Sequence, residues 1–125
     1  MPITYAVDPV RRQIRTVVSG KVSVKMILNH FEIIQQEKIL SLPEFIDARQ
    51  ATKPYLTPED MWSAANTVRA AQAKEPFGSR AVVVEDLVMY GLGRIFTQIL
   101  SGYFPIAMFR DQDTAEKWLA AQPVY

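Results

Sequence analysis

Apolar and polar side chains alternate at the start of the chain, where Ile3, Tyr5 and Val7 interleave with Thr4, Ala6 and Asp8, and again where Ile14, Thr16 and Val18 recur at every second position. Period two is the spacing of a strand with one buried face. Asp8-Pro9 between the two runs opens a turn, so the chain is expected to begin as a β-hairpin. Ser19-Gly20 ends that pattern, and from Ser23 the period lengthens. Val24, Ile27, Leu28, Phe31 and Ile34 then fall on one helical face, which predicts a helix to about Lys38.

Pro43 to Ala48, with Phe45 and Ile46 inside, reads as a third strand that runs into a polar loop from Arg49 to Tyr55. Thr57-Pro58-Glu59-Asp60 carries the marks of a helix start: a capping hydroxyl, a proline at the first helical position, and acids near the positive end of the dipole. Met61, Ala64, Ala65, Val68 and Ala71 form its apolar stripe, and the small alanines suit close approach to a sheet. Pro76-Phe77-Gly78 closes the helix. A buried-type strand follows at Ala81 to Val84, then a Glu85-Asp86 cap and a helix from Leu87 to about Leu100. Beyond Ser101-Gly102, Pro105 to Phe109 is a fifth strand, and Asp113-Thr-Ala-Glu116, an acidic relative of the capping box, opens a short last helix through Trp118 and Leu119.

The order ββαβαβαβα implies an α/β fold with a single mixed sheet of about five strands and four helices. Only the first connection is too short for a crossover, so the hairpin is antiparallel and the later strands are parallel. With 125 residues, 49% of them apolar, the chain suits one domain over residues 1–125 that buries its core without staples. Fourteen lysines and arginines against thirteen acids leave no long-range field to hold nucleic acid or an anionic membrane. Having no cysteine excludes disulfides, thiolate catalysis and cysteine-ligated metal centres. It also fits a reducing cytoplasm, and with neither a secretory pattern nor an apolar run approaching the roughly 18 residues of a membrane span, a cytoplasmic location is expected.

Candidate chemistry is sparse. Asp47, at the end of the third strand, has the place of a receiver phosphoacceptor, but such a site needs a clustered acid pair for magnesium and a lysine near the last strand. Here the fifth strand ends in Arg110-Asp111, and the first offers only Asp8 before a turn. His30 is the sole imidazole and lies mid-helix beside the apolar stripe, which reads as a half-solvated boundary histidine. Glu59, Asp60, Glu85, Asp86, Asp111 and Asp113 all sit at helix starts, where capping accounts for them. Gly91 and Gly93 fall inside a helix, so they read as close-packing glycines and not as a phosphate loop. No nucleophile–base or acid–base pair assembles, and the chain is expected to be no enzyme and to need no cofactor or metal.

Over nearly its whole length the chain resembles the SpoIIAA-like domains of small bacterial proteins, related to the STAS domains of anti-sigma-factor antagonists, with the lipid-binding Sec14-type fold as a neighbour. The resemblance runs through Asp8-Pro9 with Arg11-Arg12, Phe45-Ile-Asp-Ala-Arg49, Leu56-Thr-Pro-Glu-Asp60, Tyr90-Gly-Leu-Gly-Arg94 and Phe109-Arg-Asp111. It implies a SpoIIAA-like sheet and places Thr57 where the antagonists carry a phosphorylatable serine. Tyr55-Leu-Thr-Pro58 replaces their Asp-Ser-Ser-Gly run and Glu59 and Asp60 would repel a phosphate, so a plain N-cap is the competing reading.

Three functions follow in order of expectation. The first is a non-catalytic regulatory or scaffolding module that engages a protein partner through Asp47, Tyr55, Thr57, Glu59, Trp62 and Arg69. The second is a binder of a small apolar or lipid-like ligand, suggested by the Sec14-type neighbour and by Met89, Phe96, Leu100, Tyr103 and Phe104. The third is an enzyme of unrecognised class. Met26 and Ile33, seven residues apart and opposite the core stripe, are expected to anchor a homodimer, with Trp62 as an alternative anchor. Sedimentation equilibrium over a hundredfold concentration range should show a dimeric mass that Met26→Lys, Ile33→Lys and Trp62→Ala together abolish; a monomer throughout would reject the dimer.

Overall fold

Strands β1 (Ile3–Asp8) and β2 (Gln13–Lys21) pair antiparallel, from Ile3 opposite Val18 to Asp8 opposite Gln13. Asp8 Oδ1 accepts from the backbone N–H groups of Val10 and Arg11 and so holds the turn, which closes with Arg12 in the left-handed region at φ 54°. The computed structural model describes residues 3–52 and 56–123. It continues with α1 (Val24–Gln36), β3 (Glu44–Thr52), α2 (Pro58–Lys74), β4 (Arg80–Val83), α3 (Leu87–Leu100), β5 (Ile106–Phe109) and α4 (Gln112–Ala120). The sheet runs in chain order, β1-β2-β3-β4-β5, with every pair after the hairpin parallel.

The expected order of elements and the mixed sheet are therefore observed. Each crossover advances by one strand in the same direction, and a constant crossover hand then puts α1, α2 and α3 on one face of the sheet. Helix α4 packs on the other face, against β3, β4 and β5. Its core there is Phe45, Ala81, Val83, Ala115 and Leu119. The larger core lies under α1 to α3, where Ile14, Phe31, Ile34, Leu40, Ala65, Val68 and Leu100 are buried with the ring series Phe31, Phe77 and Phe104, whose successive centroids are 5.6 and 5.0 Å apart.

Two expectations need correction. Arg49 to Thr52 is strand, not loop: a bulge between Val17 and Ser19 shifts the register of β2 and lets Ser19, Gly20 and Lys21 pair with Gln50, Ala51 and Thr52. A polar segment is held as strand by a partner that continues, which propensity cannot show. Helix α4 is capped by Asp111, whose carboxylate accepts from Thr114 N–H at 2.8 Å, and Asp113 instead pairs with Lys117 inside the helix. At α2 the expected cap is present as a full capping box, with Thr57 Oγ1 accepting from Asp60 N–H and Asp60 Oδ2 accepting from Thr57 N–H.

The glycines divide by surroundings. A Cβ at Gly78 would strike the backbone carbonyls of Ser41 and Leu42, and one at Gly93 the thioether of Met108, whereas Gly91 has nothing within 4 Å. Close packing thus explains Gly93 and not Gly91. In urea unfolding, Gly91→Ala should gain about 0.5–1 kcal/mol from helix propensity, while Gly78→Ala, opposed by rigid backbone, should lose more than that; equal effects at the two positions would contradict this reading.

Candidate functional site

Glu44 begins β3 and Arg80 begins β4, and the parallel register sets them directly opposite each other. Both side chains are completely buried, and Arg80 Nε lies 3.2 Å from Glu44 Oε1. The second carboxylate oxygen receives Thr16 Oγ1 at 2.6 Å from β2 and His30 Nε2 at 2.7 Å from α1. An ionised carboxylate only accepts, so Nε2 carries the proton. Arg80 also donates through Nη1 to the carbonyls of Leu42 and Gly78, both at 2.8 Å, and lies over the Phe77 ring. Burial pushes the Glu44 carboxyl up, but the His30 hydrogen bond, the charges of Arg80 and His30 and the Thr16 hydroxyl outweigh it and hold the group below the ordinary carboxylate value. Burial lowers the Arg80 guanidinium and Glu44 offsets part of that; it stays charged at any working pH.

His30 is therefore not the half-solvated residue its sequence position suggests. It is 7% exposed and hydrogen-bonded to Glu44, with Tyr5 edge-on to its ring.

Beside this network, under α1 and α3, the sheet face is left partly uncovered. Thr16, Ile46, Val82 and Met108 form one row across β2 to β5, each opposite the next. Ile46 and Val82 are on inner strands beneath helices, yet both are only half-buried. The space over them is a cavity of about 130 Å³. Val18, Ala48 and Val84 continue its floor, Met89, Leu92, Gly93 and Phe96 of α3 form its roof, and Ile27, His30 and Phe31 of α1 with Met61 of α2 close the sides. Ala48 is the small residue of the floor, while the space beside Gly93 is taken by the Met108 thioether. Polar atoms of the wall are engaged with protein: Thr16 Oγ1 and His30 Nε2 with Glu44, and Thr97 Oγ1 with the Arg94 carbonyl at 3.2 Å. What the cavity presents is hydrocarbon, sulfur and ring surface.

Of the residues singled out from sequence, Met89 and Phe96 line this cavity. Leu100 and Phe104 are in the closed core, and Tyr103 lies on the surface against Arg69, 5.7 Å from guanidinium carbon to ring centre. Asp47 is on the opposite face of the sheet from α2. Its carboxylate is held by Arg49 at 2.9 and 2.7 Å, and Arg49 reaches Gln112 of α4. That pairing holds Asp47 below its ordinary value. Thr57, Glu59, Trp62 and Arg69 do share exposed parts of α2, with Trp62 56% exposed. Tyr55 lies outside the described residues. The expected grouping of Asp47 with the α2 face is thus not formed, because residues alternate across the sheet and Asp47 falls one position from the cavity face. On α1, Ile33 is 36% exposed and Met26 half-buried. Among the described residues no helix is long and apolar enough to cross a membrane, and no three His, Asp or Glu side chains are grouped to hold a metal ion.

No family model and no curated protein matches the chain. Its architecture is similar to the crystal structure of an uncharacterised protein of the DUF3478 family with a SpoIIAA-like fold from Shewanella loihica PV-4, at a TM-score of 0.61 and 14% identity over 94% of this chain and 93% of that one. The fold is SpoIIAA-like, as the sequence resemblance implied.

Removing the charge of Glu44 strands Arg80 in the core, so Glu44→Met should lose about 3–5 kcal/mol of unfolding free energy, and Glu44→Met with Arg80→Met should lose less. Because folding lowers the Glu44 value, its share of stability is complete above the unfolded value of about 4.3 and disappears as pH falls through the lower folded value. Urea midpoints measured from pH 7 to 3 should fall more steeply in the parent chain than in Glu44→Gln; parallel curves would mean that Glu44 is not ionised in the fold.

Proposed function

We propose that this chain is a non-catalytic binding protein for a small apolar or lipid-like ligand, taken up in the cavity between the sheet and α3. The observation that carries the reading is the half-buried row Ile46–Val82–Met108, apolar side chains on a helix-covered sheet face that the described residues leave partly uncovered. Natural interiors are close-packed. An apolar space of about 130 Å³ leaves the atoms of its wall short of close partners, which an apolar occupant would supply. A fold that keeps such a space beside a well-packed ring cluster gains by filling it, and engineered cavities of similar size take up benzene. The engagement of Thr16 Oγ1, His30 Nε2 and Thr97 Oγ1 with protein partners supports recognition by shape and apolar contact.

A protein-interaction role through α2 is the second reading, favoured by Trp62, whose ring is more than half exposed on the same helix face as Arg69. Aromatic and arginine side chains are the usual anchors of such contacts.

Native mass spectrometry of freshly purified protein should show a retained small molecule or, failing that, benzene should bind in solution by NMR. Ala48→Leu places three further carbons in the cavity. It should abolish benzene binding and raise stability by about 0.5–2 kcal/mol as a filled void. A parent chain that retains nothing and ignores benzene would overturn the cavity reading.

A further inference from the structure

A second depression adjoins the cavity. It is a surface groove of about 330 Å³ along the free edge of β5, lined by Tyr90, Arg94, Gln98 and Ser101 of the α3 side and by Ala107. Thr97, Ile106 and Met108 belong to both spaces, so they form the wall between them. The Met108 part of that wall is thin and movable: its thioether lies flat against Gly93, where any Cβ would displace it, and an unbranched methionine has three rotatable bonds to swing aside.

On the groove side the chemistry is cationic. Arg94 is exposed, has only the Tyr90 ring beside its guanidinium at 6.0 Å, and forms no ion pair among the described residues. None of the groove residues is acidic. The Gln98 side-chain amide has no partner among the described residues either. An apolar chamber is thus joined through one flexible side chain to a surface groove that carries a guanidinium and an amide without polar partners among the described residues.

We infer that the ligand is a single-chain anionic amphiphile whose carboxylate or phosphate head is held by Arg94 and Gln98 in the β5 groove while its apolar chain passes Met108 into the cavity. The inference rests on the cavity reading. Arginine suits either head, since its planar fork matches both carboxylate and phosphate. The size of the cavity, close to one that holds a benzene ring, limits the buried part of the chain to about six carbons.

Calorimetric titration of the full chain with octanoate, octyl phosphate, 1-octanol and octylammonium at low salt separates the possibilities. At least one of the two anions should bind about threefold to fivefold tighter than octanol, the scale of an exposed ion pair, and the tighter anion names the head group. Arg94→Gln should bring that anion to the octanol affinity and leave octanol unchanged. In protein with ¹³C-methyl methionine, the Met108 methyl resonance should shift with the octyl anions and not with acetate or inorganic phosphate. Equal affinities for all four octyl probes, an anion affinity unmoved in Arg94→Gln, or a Met108 methyl unmoved while an octyl anion binds would overturn the inference and leave the cavity standing. Failure of octanol as well as the anions would overturn both.

Discussion

An ionised carboxylate removed from water is among the most expensive groups a protein can hold, and only close partners make it tolerable. Glu44 is such a group, with no exposure at all. Its partners come from three other elements: Arg80 from β4, Thr16 from β2 and His30 from α1. Each must arrive on the same side of the sheet and at the same level. A slip of one residue in the β3–β4 pairing would turn Arg80 toward α4, away from Glu44, and leave its charge without the carboxylate. The network therefore acts as a register device for the parallel sheet, in which side-chain packing alone would tolerate more than one alignment of apolar strands.

The same device shapes the cavity beside it. Thr16 and His30 line the cavity while Thr16 Oγ1 and His30 Nε2 are committed to Glu44. The charged end of the sheet is closed by Arg80, whose guanidinium caps the loop carbonyls of Leu42 and Gly78 and lies over Phe77, the start of the packed ring series. Beyond it, toward the carboxyl ends of the strands, no described residue of comparable size fills the space between sheet and α3. Ala48 in the floor is too small to fill it. A tightly specified lower half thus supports a loosely filled upper half.

The other sheet face follows a different logic. Arg15 lies over the Phe45 ring, 4.1 Å from its centre, and grips Glu116 of α4 through two hydrogen bonds of 2.7 and 2.9 Å. Asp47, Arg49 and Gln112 make a parallel tie one step along the strand. These partly exposed ion pairs position α4 more than they stabilise it. They also explain why Asp47 takes no part in the α2 surface: its strand neighbours Ile46 and Ala48 belong to the cavity, and the pleat sends Asp47 to the helix behind.

The order of elements, the hairpin, the helix caps at Thr57 and Asp86 and the mixed sheet were all legible in the chain, because period-two and period-3.6 patterns and capping residues are local signals. The last turns of β3 were not, since Arg49 to Thr52 become strand only through pairing with the far end of β2. Nor was the ionic centre. Glu44 and Arg80 each stand at the start of an apolar run with no local signal that pairs them, while His30 reads as a helix-boundary residue. Their opposite charges acquire meaning only when parallel pairing sets residues 36 positions apart side by side. The cavity was the least legible of all, because Met89 and Phe96 in its wall and Leu100 and Phe104 in the packed core are alike as amino acids. Composition and pattern determine that such side chains leave water, whereas whether they meet one another or surround a space depends on volumes assembled from distant elements, which tertiary structure alone decides.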